Sequence, residues 1–202
     1  MALRLTIIGH SYARRLMEFR LENCTKEDPF TISVDGIDMS LEFVHERGKG
    51  YEFFNSSELM KSQIVNSKPD IVLVILGGNG VSSKTDIPQV SAQMRLFHAW
   101  LREACPNVII IAAECEPRYN LNLYDHLGKP VESYYLRRNA FNQALNRTKS
   151  KDFLLRTANY LNRKQFYDKH GVHFNARGNR FYWGLIIDCL SKAVDKFGLN
   201  RV

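Results

Sequence analysis

A serine near the start of the chain and a histidine near its end carry the side chains that acyl transfer needs. Ser11 follows the short apolar run 6–9, and His173 lies in the segment 171–175. A serine hydroxyl becomes a nucleophile when an imidazole takes its proton, and preorganised donors must stabilise the oxyanion that forms. Gly50 and Asn79, in glycine-containing loops, offer such donors. These four residues predict one site if the fold brings them together.

Several of these residues also have a purely structural interpretation. Serine at a turn from a strand into a helix is commonly the N-cap of that helix, which is an alternative role for Ser11. The pair Gly77-Gly78 would permit the turn out of the strand before it. Asn175 is predicted to cap the last helix, which places His173 just outside that helix.

Three histidines suggest a metal site as another alternative. His10, His170 and His173 have imidazoles that could bind zinc, and the last two have the H-x-x-H spacing that works on a helix. Gly171 and the β-branched Val172 stand between them and favour a turn or an extended loop instead. We therefore expect neither a metal nor a cofactor.

The apolar spacing of the chain predicts alternating strands and helices. Consecutive apolar residues at 71–76 and 108–113 are typical of strands buried on both faces of a parallel sheet. Alternating apolar residues on either side of Asp35-Gly36 predict a β-hairpin that pairs with the first strand. Further elements are predicted as helices at 13–21, 54–65, 89–104, 131–147 and 178–197, and as a short last strand at 153–158.

This alternation predicts an α/β fold, namely a three-layer α/β/α sandwich around a doubly wound, mainly parallel sheet of about five strands. The length of 202 residues suits a single domain over residues 1–202. Ligands of such sheets bind at the loops that leave the carboxyl ends of the strands, and the four candidate residues lie in loops of this kind. The long segment 117–130 is expected to shape the substrate pocket.

Four short blocks of the sequence resemble the GDSL or SGNH hydrolases, a family of esterases and lipases with a flavodoxin-like fold. Residues 8–11 resemble the first block of the family, Gly50 the second, residues 76–79 the third and residues 171–175 the last. The blocks come in the family's order between residues 7 and 178, so that the resemblance covers nearly the whole chain.

The resemblance implies a role for each matching residue. Ser11 would be the nucleophile, and His173 would be the general base and later the general acid. The main-chain amides of Ser11 and Gly50 and the side-chain amide of Asn79 would form the oxyanion hole. The implied activity is that of a serine hydrolase acting on a small ester or acylated substrate, as a carboxylesterase or a deacetylase, without a cofactor.

The chain departs from the family pattern at two histidines. His10 stands where the first block usually has an acid, and His170 stands three residues before His173, where the last block usually has an acid. An acid at the second position orients the imidazole and stabilises its cation. Asp168 could replace it if the loop bends, or a main-chain carbonyl could accept the imidazole proton and leave a Ser–His dyad. His10 is expected to hydrogen-bond neighbouring main chain.

Residues near the same rim are expected to contact the substrate: His10, Gly78, Arg118 and His170. Basic residues that line this rim would favour an anionic acyl group or a phosphate-bearing substrate: Arg14, Arg15, Arg118 and Arg138.

The charge of the chain supports a second class of function. Lys and Arg number 28 against 21 Asp and Glu, which gives a formal net charge of +7. A basic surface attracts polyanions. The alternative is therefore a catalytically inactive SGNH-like module that binds nucleic acid, another polyanion or a protein partner, as part of a larger cellular or mobile-element machinery.

The remaining features favour an intracellular protein of the cytoplasm or nucleus. The four cysteines are far apart and show no C-x-x-C pair, which indicates reduced thiols. The first apolar run is too short for a signal peptide, and no stretch is long enough to cross a membrane. The oligomeric state is not predicted by these patterns.

Overall fold

The computed structural model describes residues 2–24, 28–82, 86–118, 131–148, 153–157, 160–161 and 163–199, the side chains of residues 131–133 excepted. Most of the segment 117–130, which is expected to shape the substrate pocket, lies outside the described residues.

The centre of the molecule is one sheet of six strands in the order β2-β3-β1-β4-β5-β6. Five strands run parallel, and β2 alone is antiparallel to its neighbour β3. The predicted mainly parallel, doubly wound sheet is confirmed. The strands are β1 (Leu3–Gly9), β2 (Thr31–Val34), β3 (Ile37–His45), β4 (Ile71–Ile75), β5 (Ile109–Ala113) and β6 (Phe153–Leu155).

Helices cover both faces of the sheet, because the strands carry apolar side chains on both sides. The helices are α1 (Ser11–Asn23), α2 (Tyr51–Ser56), α3 (Glu58–Asn66), α4 (Gly77–Ser82), α5 (Ile87–Ala104), α6 (Val131–Arg147) and α7 (Ala176–Phe197). Leu5 and Ile7 of β1 pack in one core with α1 and α7. Ile8 lies in a second core with α2 to α6, so the three-layer α/β/α arrangement is also confirmed.

The predicted hairpin forms around Asp35 and Gly36, which both adopt positive φ angles, 51° and 80°. Such angles at the two central residues are those of a tight hairpin turn. Strand β3 of this hairpin pairs with β1 in parallel, as expected.

Most predicted elements shift by one to three residues at their ends, and two regions differ more strongly. The single helix expected over 54–65 is divided into α2 and α3 at Ser57, whose hydroxyl accepts a hydrogen bond from the Met60 amide and so caps α3. Residues 77–80, expected to form a loop, begin the short helix α4. Its glycines allow close packing, since a Cβ on Gly77 would lie 2.6 Å from the ring of Phe141 in α6, and one on Gly80 would lie 2.6 Å from Val90 in α5.

The carboxyl ends of β1 and β4 lie side by side, with Gly9 paired to Ile75. After β1 the chain forms β2 and β3 on one side of β1 and then crosses to form β4 on its other side. The strand order therefore reverses between β1 and β4, which makes this the topological switch point of the sheet. A Cβ on Gly9 would lie 2.9 Å from the carbonyl oxygen of Ile75, which explains why glycine ends β1. Ligand crevices in doubly wound sheets lie at such a switch point.

Candidate active site

The hydroxyl of Ser11 and the imidazole of His173 meet at the switch point. Ser11 Oγ lies 2.8 Å from His173 Nε2 across a sequence separation of 162 residues. Ser11 is the first residue of α1, and the N-cap of this helix is His10, whose Nδ1 accepts a hydrogen bond from the Tyr12 amide at 3.5 Å. Ser11 is therefore not the N-cap, and its hydroxyl is available to the imidazole. His10 does bond neighbouring main chain, as expected.

The loop that carries His173 is held from two sides. The hydroxyl of Tyr12 donates a hydrogen bond to the carbonyl of Val172, next to His173. On the other side, the Asn175 side chain caps α7 by accepting from the Gly178 amide at 2.9 Å, as predicted, and its amide donates to the carbonyl of Tyr167. The residues between form a turn rather than a helix, with Gly171 at a φ of 65°.

The carboxylate of Asp168 lies behind the imidazole of His173. Its Oδ2 is 4.0 Å from His173 Nδ1 and 3.6 Å from Nη1 of Arg15, and its Oδ1 accepts from the His170 amide at 3.0 Å. The 4.0 Å separation is longer than a hydrogen bond. Asp168 is thus close enough to interact electrostatically with the imidazole, and a shift of about 1 Å would make a direct hydrogen bond.

His173 is neutral at neutral pH. Partial burial and then the nearby Arg15 guanidinium lower its pKa from 6.5 to about 4, whereas Asp168 acts in the opposite direction. A neutral imidazole that carries its proton on Nδ1, towards Asp168, presents the Nε2 lone pair to Ser11. In this form the imidazole can accept the hydroxyl proton.

Gly50, the N-cap of α2, and Asn79, in the short helix α4, lie beside each other after β3 and β4. The side-chain amide of Asn79 donates to the carbonyl of Lys49 at 3.0 Å, and a Cβ on Gly50 would lie 3.6 Å from the main-chain nitrogen of Gly80. The Glu46 amide donates to the carbonyl of Gly9 at 3.1 Å and joins this region to the end of β1. The segments that carry Gly50 and Asn79 are therefore tied to each other and to the end of β1.

A surface pocket of about 430 Å³ opens next to Gly50 and Asn79. Its wall includes Lys49, Phe53 and Gln93, and the ammonium of Lys49 lies 5.0 Å from the centre of the Phe53 ring. The residues that line this pocket include Gly50 and Asn79 but neither Ser11 nor His173, so the pocket adjoins two of the three candidate oxyanion donors and not the Ser11–His173 pair.

His10, Gly78 and Arg118 come together on the other side of α4. A Cβ on Gly78 would lie 3.1 Å from Nη2 of Arg118 and 3.2 Å from Nε2 of His10. Arg118 is 5% exposed, its Nη1 donates to Ser82 Oγ at 3.1 Å, and its guanidinium lies over the ring of Tyr134. Complete burial and the nearby positive charge of Arg118 lower the pKa of His10 to about 3, so its imidazole is neutral.

Arg138 and His170 occupy different environments. Arg138 is buried, and its Nε donates to the carbonyl of Cys115 at 2.9 Å, so it does not line an open rim as expected. His170 is exposed at the turn. Among the described residues, no group of three His, Cys, Asp or Glu side chains could hold a metal ion.

A buried polar cluster next to this site has no counterpart in the sequence prediction. The hydroxyl of Tyr182 donates to the carboxylate of Glu116 at 2.9 Å, and burial raises the pKa of Glu116 to about 7. The charges of Arg118 and Arg138 oppose that rise. The role of Tyr12, which bonds the carbonyl of Val172, was also not predicted from the sequence. Neither the polar cluster nor the Tyr12 contact has a local sequence signal, because the partners of these residues are distant in sequence.

In the part of the chain that the structure describes, no helix is long and apolar enough to cross a membrane.

Solved structures of hydrolases resemble this chain over nearly its whole length. A protein of Slackia heliotrinireducens assigned to the SGNH hydrolases has a TM-score of 0.67 and 19% sequence identity, over 94% of this chain and 100% of its own. A carbohydrate esterase family 3 protein from Talaromyces cellulolyticus has a TM-score of 0.68 and 16% identity, over 96% and 99%. The esterase EstA from Pseudoalteromonas sp. has a TM-score of 0.66 and 11% identity, over 95% and 98%.

No family model matches the sequence, and no curated protein matches it either. The comparisons therefore show a shared fold, and in this chain Ser11 and His173 lie at the carboxyl edge of the parallel sheet. The chain has the fold of the SGNH and GDSL-like hydrolases.

Proposed function

We propose that this protein is an SGNH-type serine hydrolase that cleaves ester bonds through an acyl-enzyme on Ser11. The observation that carries the proposal is the 2.8 Å contact between Ser11 Oγ and His173 Nε2. A nucleophile and its base within hydrogen-bond reach are the minimum arrangement for acyl transfer by serine. The substrate is a small carboxylic ester, which makes the activity that of a carboxylesterase or a deacetylase.

In the first half-reaction, the Ser11 hydroxyl transfers its proton to His173 Nε2 while Oγ attacks the carbonyl carbon of the ester. The carbonyl oxygen becomes an oxyanion, which the amides of Ser11, Gly50 and Asn79 stabilise. When the tetrahedral intermediate collapses, the bond to the alcohol oxygen breaks and His173 returns the proton to that oxygen. The alcohol leaves, and the acyl group stays on Ser11.

In the second half-reaction, a water molecule attacks the acyl carbon and gives a proton to His173 Nε2. The second tetrahedral intermediate breaks its bond to Ser11 Oγ, which recovers the proton from the imidazole, and the carboxylic acid leaves. Asp168 acts as a positioning residue, since its negative charge favours the Nδ1-protonated imidazole and the imidazolium that forms transiently.

The test combines turnover of 4-nitrophenyl acetate with covalent labelling by a fluorophosphonate, which reacts with an activated serine. We expect the wild-type protein to do both. Ser11→Ala should abolish labelling and lower kcat by about a thousandfold or more. The matched control is Ser91→Ala, because Ser91 is also a buried serine and its hydroxyl has no hydrogen-bond partner among the described residues.

Labelling that persists in Ser11→Ala, or a wild-type protein that is neither labelled nor active, would show that the chain is not a serine hydrolase. Equal loss of both signals in Ser91→Ala would indicate that they report folding rather than the nucleophile.

The second candidate function is a catalytically inactive module that binds a polyanion such as nucleic acid. It is favoured by the net charge of +7 and by histidines at positions 10 and 170, where the family usually has acids. Binding through phosphate contacts weakens steeply as salt rises. If this candidate is correct, charge reversal of Arg14 and Arg15 lowers the salt concentration at which the protein elutes from immobilised single-stranded DNA. Elution at a higher salt concentration, or retention that salt does not change, would count against it.

A further inference from the structure

The positive charge of the chain is concentrated in its last quarter. Residues 153–199 contain eight Lys and Arg, three Asp and no Glu, so they carry +5 of the net charge of +7. Two of the three Asp residues are paired, Asp168 with Arg15 and Asp188 with Lys192. Several exposed cations of this segment form no ion pair with any described residue: Arg156, Arg163, Lys164, Arg177 and Arg180. This excess of unpaired positive charge attracts a polyanion.

A groove of about 380 Å³ lies between α7 and β6, the last strand in the order of the sheet. Residues 153–156 and Tyr160 form one wall of this groove. The other wall is one face of α7, formed by Leu185, Asp188, Cys189 and Lys192. We call this feature the α7 groove. Its lining combines apolar side chains with the exposed cations Arg156 and Lys192, which suits a ligand that is charged and partly apolar.

Aromatic rings are exposed along the α7 groove. Tyr160, in the wall, is 55% exposed. Phe181 lies one helical turn before Leu185 on the same face of α7 and is 38% exposed. Farther along this face, Nζ of Lys196 lies 5.4 Å from the centre of the Phe153 ring. Exposed rings beside cations are the surface on which the bases and phosphates of a nucleic acid strand bind together.

The ring of Phe181 is held in one orientation. It stacks on the buried ring of Phe166, with ring centres 5.0 Å apart and planes inclined by 16°. Arg177, one turn before Phe181 on α7, has its guanidinium 5.7 Å from the centre of the Phe166 ring. A base that stacks on Phe181 therefore meets a fixed ring with a cation next to it, and little side-chain freedom is lost on binding.

We propose that the α7 groove binds single-stranded nucleic acid, with bases stacked on Tyr160 and Phe181 and phosphates held by the surrounding cations. A single strand is the ligand because its unpaired bases can reach the rings, whereas the bases of a duplex stay stacked on each other. From Phe181 to Lys196, α7 is about 22 Å long, the length of about six stacked nucleotides.

The inference is independent of the proposed esterase. Neither Ser11 nor His173 lines the α7 groove, so a strand bound there is compatible with an active enzyme as well as with an inactive module. Relative to the second candidate function, it names the surface and the form of the nucleic acid. Binding is measured without hydrolysis, so failure of this proposal and failure of the esterase are separate results.

The test measures binding of the full chain to fluorescein-labelled oligo(dT) of about 16 nucleotides by fluorescence anisotropy. A duplex of the same length and polyglutamate serve as competitors. We expect the single strand to bind more tightly than the duplex, and its Kd to rise steeply between about 50 and 200 mM salt.

Two variants remove one exposed ring each. Tyr160→Ala and Phe181→Ala should each raise the Kd for oligo(dT) about 5- to 100-fold, because each loses the stacking of one base. The matched control is Leu96→Ala, which also removes an exposed apolar side chain, at 58% exposure, but from α5 on the opposite face of the sheet. It should keep the wild-type Kd.

Two further variants neutralise one cation each. Arg156→Gln and Arg177→Gln should each reduce the slope of log Kd against log salt by about 0.7, the value for one phosphate contact with a single strand. Arg95→Gln is the control, because Arg95 is an exposed cation of α5. Far-UV circular dichroism shows that all variants stay folded.

The proposal is wrong if oligo(dT) does not bind at low salt, or if the duplex competes as well as the single strand. It is also wrong if the two ring variants bind like the wild type while the cation variants bind more weakly. Together with displacement of oligo(dT) by polyglutamate, that result would make the α7 groove a surface for an acidic protein segment instead.

Discussion

The hydroxyl of Tyr12 donates a hydrogen bond to the carbonyl of Val172, so the residue after Ser11 holds the residue before His173. The Tyr12 ring also packs edge-on against Phe174, with ring centres 4.9 Å apart. Helix α1 and the loop before α7 are thereby joined on both sides of His173. These contacts link the two segments that carry the proposed nucleophile and its base.

Tyr12→Phe removes this hydrogen bond and keeps the ring. Because the Val172 carbonyl loses its partner, we expect the free energy of unfolding to fall by about 1–3 kcal/mol. We also expect kcat for 4-nitrophenyl acetate to fall more than KM changes, since the base is less well positioned. Urea unfolding and steady-state kinetics measure these effects. Tyr160→Phe is the control, because Tyr160 is 55% exposed, and an unchanged kcat in Tyr12→Phe would contradict the positioning role.

The second prediction concerns the pH dependence of kcat/KM for a neutral ester. Only neutral His173 accepts a proton, so kcat/KM should rise as pH increases through the His173 pKa of about 4 and then stay level. Arg15 lowers this pKa and Asp168 raises it. Arg15→Gln should therefore move the acid limb to higher pH, whereas Asp168→Asn should move it to lower pH and reduce kcat.

Opposite shifts from the two members of one ion pair would not follow from a general loss of structure. Far-UV circular dichroism at each pH shows whether the variants stay folded. The proposed environment of His173 would be contradicted if the acid limb of the kcat/KM profile lay at the same pH in all three proteins. A wild-type acid limb near pH 6.5 would contradict it as well.

The third prediction concerns the side-chain amide of Asn79. If this amide stabilises the oxyanion, Asn79→Ala should lower kcat by about a hundredfold to a thousandfold. The control is Asn23→Ala, because the Asn23 amide also donates to a main-chain carbonyl, that of Phe19, at the opposite end of α1 from Ser11. Kinetics with 4-nitrophenyl acetate measure both variants. Similar activity in the two proteins would remove Asn79 from the oxyanion hole.

The fourth prediction concerns two glycines of α7. A Cβ on Gly178 would lie 2.0 Å from the carbonyl oxygen of Phe166, in the short 3-10 turn before the His173 loop. Gly178→Ala should therefore destabilise the fold by about 1–3 kcal/mol or more. Gly184→Ala, in the open, should instead stabilise it by up to about 1 kcal/mol, because alanine is the better helix former. Thermal unfolding of both variants would show shifts of opposite sign, and a matching sign would refute the close approach at Gly178.

The sequence alone determined the strands, the longer helices and the edge at which chemistry is expected. Buried strands such as β4 are apolar on successive residues, and helices such as α7 repeat their apolar residues at helical spacing. Both kinds of element can therefore be predicted from local sequence patterns. Parallel strands then place their carboxyl ends at one edge. This is why Ser11 and His173, far apart in the chain, could be predicted to meet.

Only the tertiary structure decided the details on which the activity depends. The 4.0 Å separation of Asp168 from His173, the hydrogen bond from Tyr12 to Val172, and the position of His10 against Arg118 each join residues from different elements. Local periodicity carries no information about such contacts, because they are set by how helices and loops pack at the end of the sheet. The residues of the candidate site could be identified from the sequence. The charged groups and hydrogen bonds that surround them are determined by the packing of the fold.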